Sequence, residues 1–338
     1  MTLREQLMIV LRGGKADRVP FTCYQGLVPG MTEIENLTLV GMAQAFSAVG
    51  PEGIETSSVE LSPGVSETTM ETPWGTLTQI AHTETGYGSA WTKEHWVKAE
   101  ADYGVLEQII RHTQIVPSPG GIAAAQESLG DRGVILAWMH RAPFQRLWIE
   151  YVGMENLALH LMDFPEAVEG VLEAMFEQSR EIIRVTAASE AELVWVPDNI
   201  TGEMTGPGFF RKYQQPYYRD VCDAMLPAGK LPCCHMDGML RQIADVIGET
   251  DLPVMEAFTP PPDGNFSVRE ARERWPGKVL WLNFPSSVHL REPQEVARVT
   301  EELVEEAGDC HGFAVGITEN IPASVGARSL KAIGGALR

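Results

Sequence analysis

The segment Leu231-Pro232-Cys233-Cys234-His235-Met236-Asp237-Gly238 reads as a short buried strand that ends in His-x-Asp and breaks at a glycine. An amphipathic helix is expected directly after it, with Leu240, Ile243, Ala244 and Ile247 on one face. Side chains alternate along extended chain, so the His235 imidazole and the Asp237 carboxylate point to the same side. Two such groups at a strand end can share a metal ion or one proton of a substrate. The fold turns on whether other segments repeat this strand-then-helix unit and bring their ends to the same place.

Downstream the unit recurs three times. Val254-Met255-Glu256-Ala257-Phe258 precedes a helix at Val268–Trp275, Val279–Asn283 precedes one at Pro293–Ala307, and Gly312–Gly316 precedes a terminal helix. Upstream, Val134–Trp138 is followed by helices near 144–150 and 165–188. Leu193–Val196 ends at Pro197-Asp198-Asn199, ahead of a helix opening at Pro207-Gly208 and reaching Met225. Strands this apolar, alternating with helices, imply a parallel sheet covered by helices. Nearer the N-terminus a helix is expected at 3–12, an extended Phe21–Tyr24, a short helix from Gly41 to Val49, and an alternating strand at 53–60.

Counting Phe21–Tyr24 and the strand at Ile54 gives eight candidates, the number that a closed (β/α)8 TIM barrel needs. A doubly wound open sheet is the alternative. It lacks support, since the chain has no G-x-G-x-x-G after its first strand and no phosphate-binding loop. Residues 66–98 differ in kind, rich in Thr and aromatics with turns at Thr72-Pro73-Trp74-Gly75 and Gly86-Tyr87-Gly88. They read as a β-meander inserted into the single barrel domain of 1–338.

A formal charge of −20 over 338 residues argues against a nucleic-acid partner, which would want a basic face. No apolar run is long enough to cross a membrane, and the N-terminus lacks the layout of a signal peptide, so a cytoplasmic protein is expected. The five cysteines are scattered without C-x-x-C spacing, which fits reduced thiols.

In a barrel, catalytic groups come from the C-terminal ends of several strands. Those ends supply Tyr24 and Gln25, Glu60, Trp138, Met139 and His140, Asp198 and Asn199, His235 and Asp237, Glu256 and Phe258, Asn283, and Glu319 with Asn320. Three chemistries suit this set. One is a divalent metal held by His235 with Asp237, Glu256 or Glu319, a mixed N/O ligation that suits zinc. Another is general acid–base work by Asp198, Glu256 or the His235–Asp237 pair. The third is polar anchoring of a substrate. Cys233 shares the His235 face and is a minor ligand candidate, whereas Cys310 and His311 fall at the opposite end.

The chain resembles the uroporphyrinogen decarboxylase superfamily, in its cobalamin-dependent methyltransferase branch, from Arg18-Val19-Pro20 to the terminal helix. The resemblance rests on Glu71-Thr72-Pro73-Trp74-Gly75-Thr76, His95 to Asp102, Met162-Asp163-Phe164-Pro165-Glu166, Pro197-Asp198-Asn199, Pro216-Tyr217-Tyr218, His235-Met236-Asp237-Gly238 and Gly316-Ile317-Thr318-Glu319-Asn320-Ile321-Pro322. Two departures matter. The decarboxylases grip their poly-carboxylate substrate with N-terminal arginines, where this chain reads Pro20-Phe21-Thr22-Cys23-Tyr24-Gln25. The methylcobamide:coenzyme M methyltransferases hold zinc with His-x-Cys and a later Cys, where this chain has His235-Met236-Asp237 and Gly316-Ile317-Thr318-Glu319.

Carboxylates in place of thiolates make a harder site, less suited to activating a thiol. The resemblance then implies the first methyltransferase of an O-demethylase system. It would move a methyl group from a methoxylated aromatic donor to the cobalt of a separate corrinoid protein. His235, Asp237 and Glu319 would hold a metal (zinc is the candidate) against the leaving oxygen, or Asp237 or Asp198 would donate a proton to it. Tyr24, Trp138 and Phe258 would wall the ring, with His140, Asn199, Asn283 and Asn320 as further substrate contacts. The corrinoid protein would cap the mouth, with the meander as docking surface or lid, and a homodimer is left open. The rival readings are a decarboxylase on the same barrel and a methylcobamide-to-thiol methyltransferase.

Overall fold

A computed structural model of the chain describes residues 1–27, 34, 36–84 and 90–337. Two compact units emerge, one comprising 1–45, 118–139 and 183–338, the other 46–117 and 140–182.

The first unit is a closed barrel of eight parallel strands. In chain order they are β1 (Phe21–Tyr24), β2 (Leu37–Ala43), β3 (Gly133–Trp138), β4 (Leu193–Val196), β5 (Leu231–His235), β6 (Val254–Phe258), β7 (Val279–Asn283) and β8 (Phe313–Ile317). Each strand pairs with its sequence neighbour, and β1 closes the ring on β8 with Phe21 opposite Val315. The (β/α)8 TIM barrel expected from the alternation is the fold of this unit.

Inward-facing side chains fill the barrel. Val40, Val134, Leu136, Leu193, Trp195, Cys233, Val254, Val279, Trp281 and Ala314 form one buried cluster with Leu7, Met8, Val10 and Leu11 of the first helix, Leu3–Leu11. That helix starts at a capping box, in which Thr2 accepts from the Glu5 amide and Glu5 accepts from the Thr2 amide. Its apolar face packs against the strand interiors and plugs one end. Trp281 lies across the core and donates through Nε1 to Thr22 Oγ1 at 2.8 Å. Room for the indole comes from Gly316, where a Cβ would stand 2.8 Å from Thr22 Oγ1 and 3.1 Å from Trp281 Nε1.

Two early assignments, one helix and one strand, are corrected. Residues 41–49 are not a helix: Gly41–Ala43 end β2 and Phe46–Val49 pair antiparallel with Gln114–Pro117. The strand at 53–60 does not enter the barrel. Glu55–Ser62 instead begins a four-stranded antiparallel sheet with Val65–Thr72, Gly75–Thr83 and Ala90–Glu94. The physical reason lies in the pattern itself. A barrel strand is buried on both faces and reads as a continuous apolar run, as Val134–Trp138 does, whereas polar alternation marks an antiparallel sheet with a wet face.

This sheet belongs to the second unit, together with the helices Glu100–His112, Met154–Asp163 and the Pro165–Ala187 helix through residue 182. Leu77 on the sheet and Tyr103, Leu106, Ile110, Val168 and Leu172 on the helices are buried. The expected turn Gly86-Tyr87-Gly88 lies outside the described residues. Among the described residues no helix is long and apolar enough to cross a membrane.

Candidate active site

Strand β5 ends at His235, and β6 places Glu256 directly beside it in the parallel register. Glu256 is wholly buried, yet it has three donors. Tyr24 Oη donates to Oε1 at 2.7 Å, Trp195 Nε1 donates to Oε2 at 2.7 Å, and His235 Nδ1 lies 2.8 Å from Oε2. Four strands thus meet on one carboxylate in the uppermost layer of the core.

A β-bulge explains how Glu256 faces inward while Phe258 does not. The pairing of β6 with β7 slips between Glu256 and Phe258, and Ala257 adopts φ 53°, a left-handed conformation costly for a residue with a Cβ. Phe258 is thereby turned outward against Phe266 and Trp275, at ring distances of 6.0 and 5.7 Å. The expectation that Phe258 walls the substrate is corrected on this ground.

The second ring nitrogen of His235 faces Asp237, with Nε2 3.4 Å from Oδ2. Asn199 fixes that carboxylate. Its Nδ2 donates to Asp237 Oδ2 at 2.7 Å, its own amide donates to the His235 carbonyl at 3.1 Å, and its φ of 51° is left-handed. Burial opposes a charge on His235, but the Glu256 and Asp237 carboxylates outweigh it and raise the imidazole to about 10. Burial likewise opposes ionisation of Asp237, and its bonds from His235 and Asn199 overcome that and hold it below the usual carboxylate range. Burial and Glu256 push the Tyr24 phenol well above its ordinary value, so Tyr24 is a donor. The site therefore holds the raised His235 imidazole between the side chains of Glu256 and Asp237.

Aromatic rings surround it. Trp195 meets His235 edge-on at 5.4 Å, Tyr24 at 6.1 Å and Trp138 at 6.4 Å. Trp138 is 41% exposed and His235 7%, so the group opens to solvent on the tryptophan side. Trp195 escaped the sequence reading, which took it for plain strand. The signal was its parity: it stands opposite Cys233, on the inward face shared with His235.

Other expected residues lie elsewhere. Asp198 is fully buried and accepts from the Tyr218 hydroxyl. Tyr218 adjoins Cys234, which alternates with the inward Cys233 and so faces the helix layer. Asn283 ties strand ends together, donating to Thr259 Oγ1 at 3.3 Å and accepting from the Thr318 amide at 3.2 Å. Asn320 is exposed in the loop after β8, and Glu60 is exposed in the antiparallel sheet. His140 falls in the second unit, edge-on to Phe46 at 5.3 Å. Burial and then Arg146 lower it to about 3. Burial also raises the thiols of Cys233 and Cys234 well above their usual value.

The expected metal set does not assemble. Among the described residues no three His, Cys, Asp or Glu side chains are placed to share an ion. The Glu319 carboxylate instead accepts from the Ser286 hydroxyl. These donors do not fit zinc.

A closed parallel barrel with a polar cluster at the C-terminal ends of β1, β4, β5 and β6 defines the class: a TIM-barrel protein with its candidate site where such folds carry function. Residues 121–334 match the family model described as uroporphyrinogen decarboxylase (URO-D), and the chain belongs to that family. Among solved structures it is similar to a methyltransferase from Methanosarcina mazei. The two share 13% sequence identity with a TM-score of 0.60, over 99% of this chain and 98% of that one. No curated protein sequence matches the chain.

Proposed function

We propose that this protein is a corrinoid-dependent methyltransferase that removes the methyl group of an aryl methyl ether. The donor is a methoxylated aromatic small molecule, and the acceptor is the cobalt of a separate corrinoid protein. One observation carries the reading: the His235 imidazolium presents an Nε2 proton only loosely held by Asp237, at 3.4 Å, in a ring cluster that reaches the exposed Trp138 through Trp195.

Breaking an aryl ether requires an acid for the departing oxygen, because a bare phenolate leaves poorly. The reduced corrinoid, when bound, supplies the nucleophile. His235 supplies the acid: its Nε2 proton passes to the ether oxygen as the methyl–oxygen bond breaks, and the product is a neutral phenol. The match is close, since His235 is raised to about 10 and a phenol has a pKa of about 10. Glu256 holds the Nδ1 side and so sets the ring orientation. Trp138, Trp195 and Tyr24 offer apolar walls for the aromatic ring.

The barrel shared with the Methanosarcina mazei methyltransferase supports this reading. A decarboxylase is disfavoured, because two carboxylates flank one imidazolium and would repel an anionic substrate. The test supplies the protein with aryl methyl ethers and reduced cobalamin, and measures phenol release by chromatography. Phenol appearing only with both protein and reduced corrinoid supports the assignment. Release of CO2 from a carboxylated analogue without corrinoid would replace it with the decarboxylase.

A further inference from the structure

The inward face of the barrel holds one more residue at the mouth than the polar cluster uses. Met42 pairs with Leu136 in the register of β2 with β3, and Val40 and Leu136 both point into the core, so Met42 shares their face. Met42 and Trp138, on these neighbouring strands, are 39% and 41% exposed, so the part of the wall open to solvent is apolar.

Charge at this end is one-sided. The segments that leave β1 and β4 to β8, namely 25–36, 197–201, 236–240, 259–267, 284–290 and 318–322, contain no lysine or arginine, whereas Asp237, Asp263 and Glu319 stand in them. Cations further along are already matched: Arg141 by Glu150 at 3.1 Å, Arg241 by Glu270 at 2.9 Å and Arg291 by Glu295 at 2.9 Å. His140 and His289 offer no positive charge at neutral pH, because burial above all lowers them to about 3 and about 4. His235 is flanked by Glu256 and Asp237, and its Nε2 proton is the one the ether oxygen takes.

A donor whose ring bore a carboxylate would leave water with no free cation to receive that group, and beside acidic side chains. We infer, resting on the reading of the site as an aryl methyl ether demethylase, that the donor ring is uncharged: a methoxyphenol or similar neutral methoxyarene, not a methoxybenzoate. Met42 and Trp138 hold the ring by burial of apolar surface and discriminate by offering a carboxylate nothing.

The test is calorimetric titration of the protein alone at pH 7 with 3-methoxybenzamide and 3-methoxybenzoate, which match in shape and differ in charge. The amide is expected to bind about tenfold or more tightly than the benzoate. Met42→Lys, at a side chain open to solvent, should narrow that gap by strengthening benzoate binding with little change for the amide. Phenol release from the same pair with reduced cobalamin is read alongside. Equal binding of the two compounds, or binding of neither, overturns the inference. So does a gap unchanged by Met42→Lys, which would put the ring elsewhere. Equal phenol release from both overturns it while leaving methyl transfer standing. Discriminating binding with phenol release from neither supports the uncharged ring and removes the methyl-transfer reading instead.

Discussion

His235 and Glu256, on adjacent strands, join Nδ1 to Oε2 at 2.8 Å with the carboxylate wholly buried. An ion pair this dry persists only where other donors complete the carboxylate, and Tyr24 and Trp195 do so. The pair ties pH, stability and the proposed chemistry to one imidazole.

Stability is expected to fall in alkali. His235 is raised from 6.5 to about 10 in the folded chain, so its contribution is full below about pH 6.5 and is lost as pH rises through 10. At pH 7 that difference corresponds to roughly 4 kcal/mol. Urea titrations at pH 7, 9 and 10.5 should show falling midpoints, and a midpoint flat across that range would detach the imidazole from the carboxylates. Demethylation should hold level from pH 7 to 9 and decline near 10. A decline near pH 6.5 would mean that His235 titrates as an ordinary histidine.

Glu256→Gln removes the charge while keeping the shape. An amide can accept from Tyr24 or Trp195, but its NH2 group then confronts another donor. The variant is expected to lose about 3–5 kcal/mol, and the alkaline loss of stability should shift toward neutrality because His235 no longer has its buried partner. Parallel pH–stability curves for variant and wild type would sink this account. His235→Gln should lower the demethylation rate by about 10²–10⁴-fold with KM little changed, as loss of a general acid does.

Much of this was legible before any coordinates. The apolar strands from Val134 onward, each followed by a helical repeat, carry the barrel, and the alternation His235-x-Asp237 carries the centre of the site. The early strands were obscure because Gly41-Met42-Ala43 ends β2 without β-branched residues, and because the alternating 53–60 segment mimics a half-buried strand of any sheet. Phe258 misled for a different reason. A bulge at Ala257 breaks the two-residue period, and no residue type there announces it. Asn199 was legible as a polar strand end, but its left-handed backbone, which aims it at Asp237, was not.

Asn199 separates strain from hydrogen bonding. Asn199→Gly keeps the left-handed backbone free of penalty and loses the bond to Asp237, a loss of about 1–2 kcal/mol. Asn199→Ala loses the bond and adds a left-handed alanine, about 1 kcal/mol more. Thermal or urea unfolding should therefore rank wild type above the glycine variant and glycine above alanine. The reverse order of the two variants would show that the conformation is not held in solution.

Zinc is expected to be absent from purified protein at stoichiometric level, because among the described residues no three ligating side chains come together and Glu319 lies on Ser286. Elemental analysis of wild type beside His235→Gln checks this. One zinc per chain, lost in the variant, would mean that the imidazole is deprotonated and metal-bound, and Lewis-acid activation would replace proton donation.

Gly316→Ala probes the packing of the core beside β7 and β8. Its new methyl would sit 2.8 Å from the Leu282 carbonyl and from Thr22 Oγ1, and 3.1 Å from Trp281 Nε1. Backbone cannot yield easily there, so the indole has to move and its bond to Thr22 is lost. Overpacking of this kind costs about 1–3 kcal/mol, and a lost buried bond adds about 1 kcal/mol. Urea unfolding should show the loss, with a red-shifted tryptophan emission if Trp281 is displaced toward water. Because Trp281 stands directly beside Glu256 in the pairing of β6 with β7, a displaced indole is expected to move the alkaline midpoint set by His235 as well. A midpoint unchanged while the core loosens would mean that the cluster is insulated from the packed layer beside it.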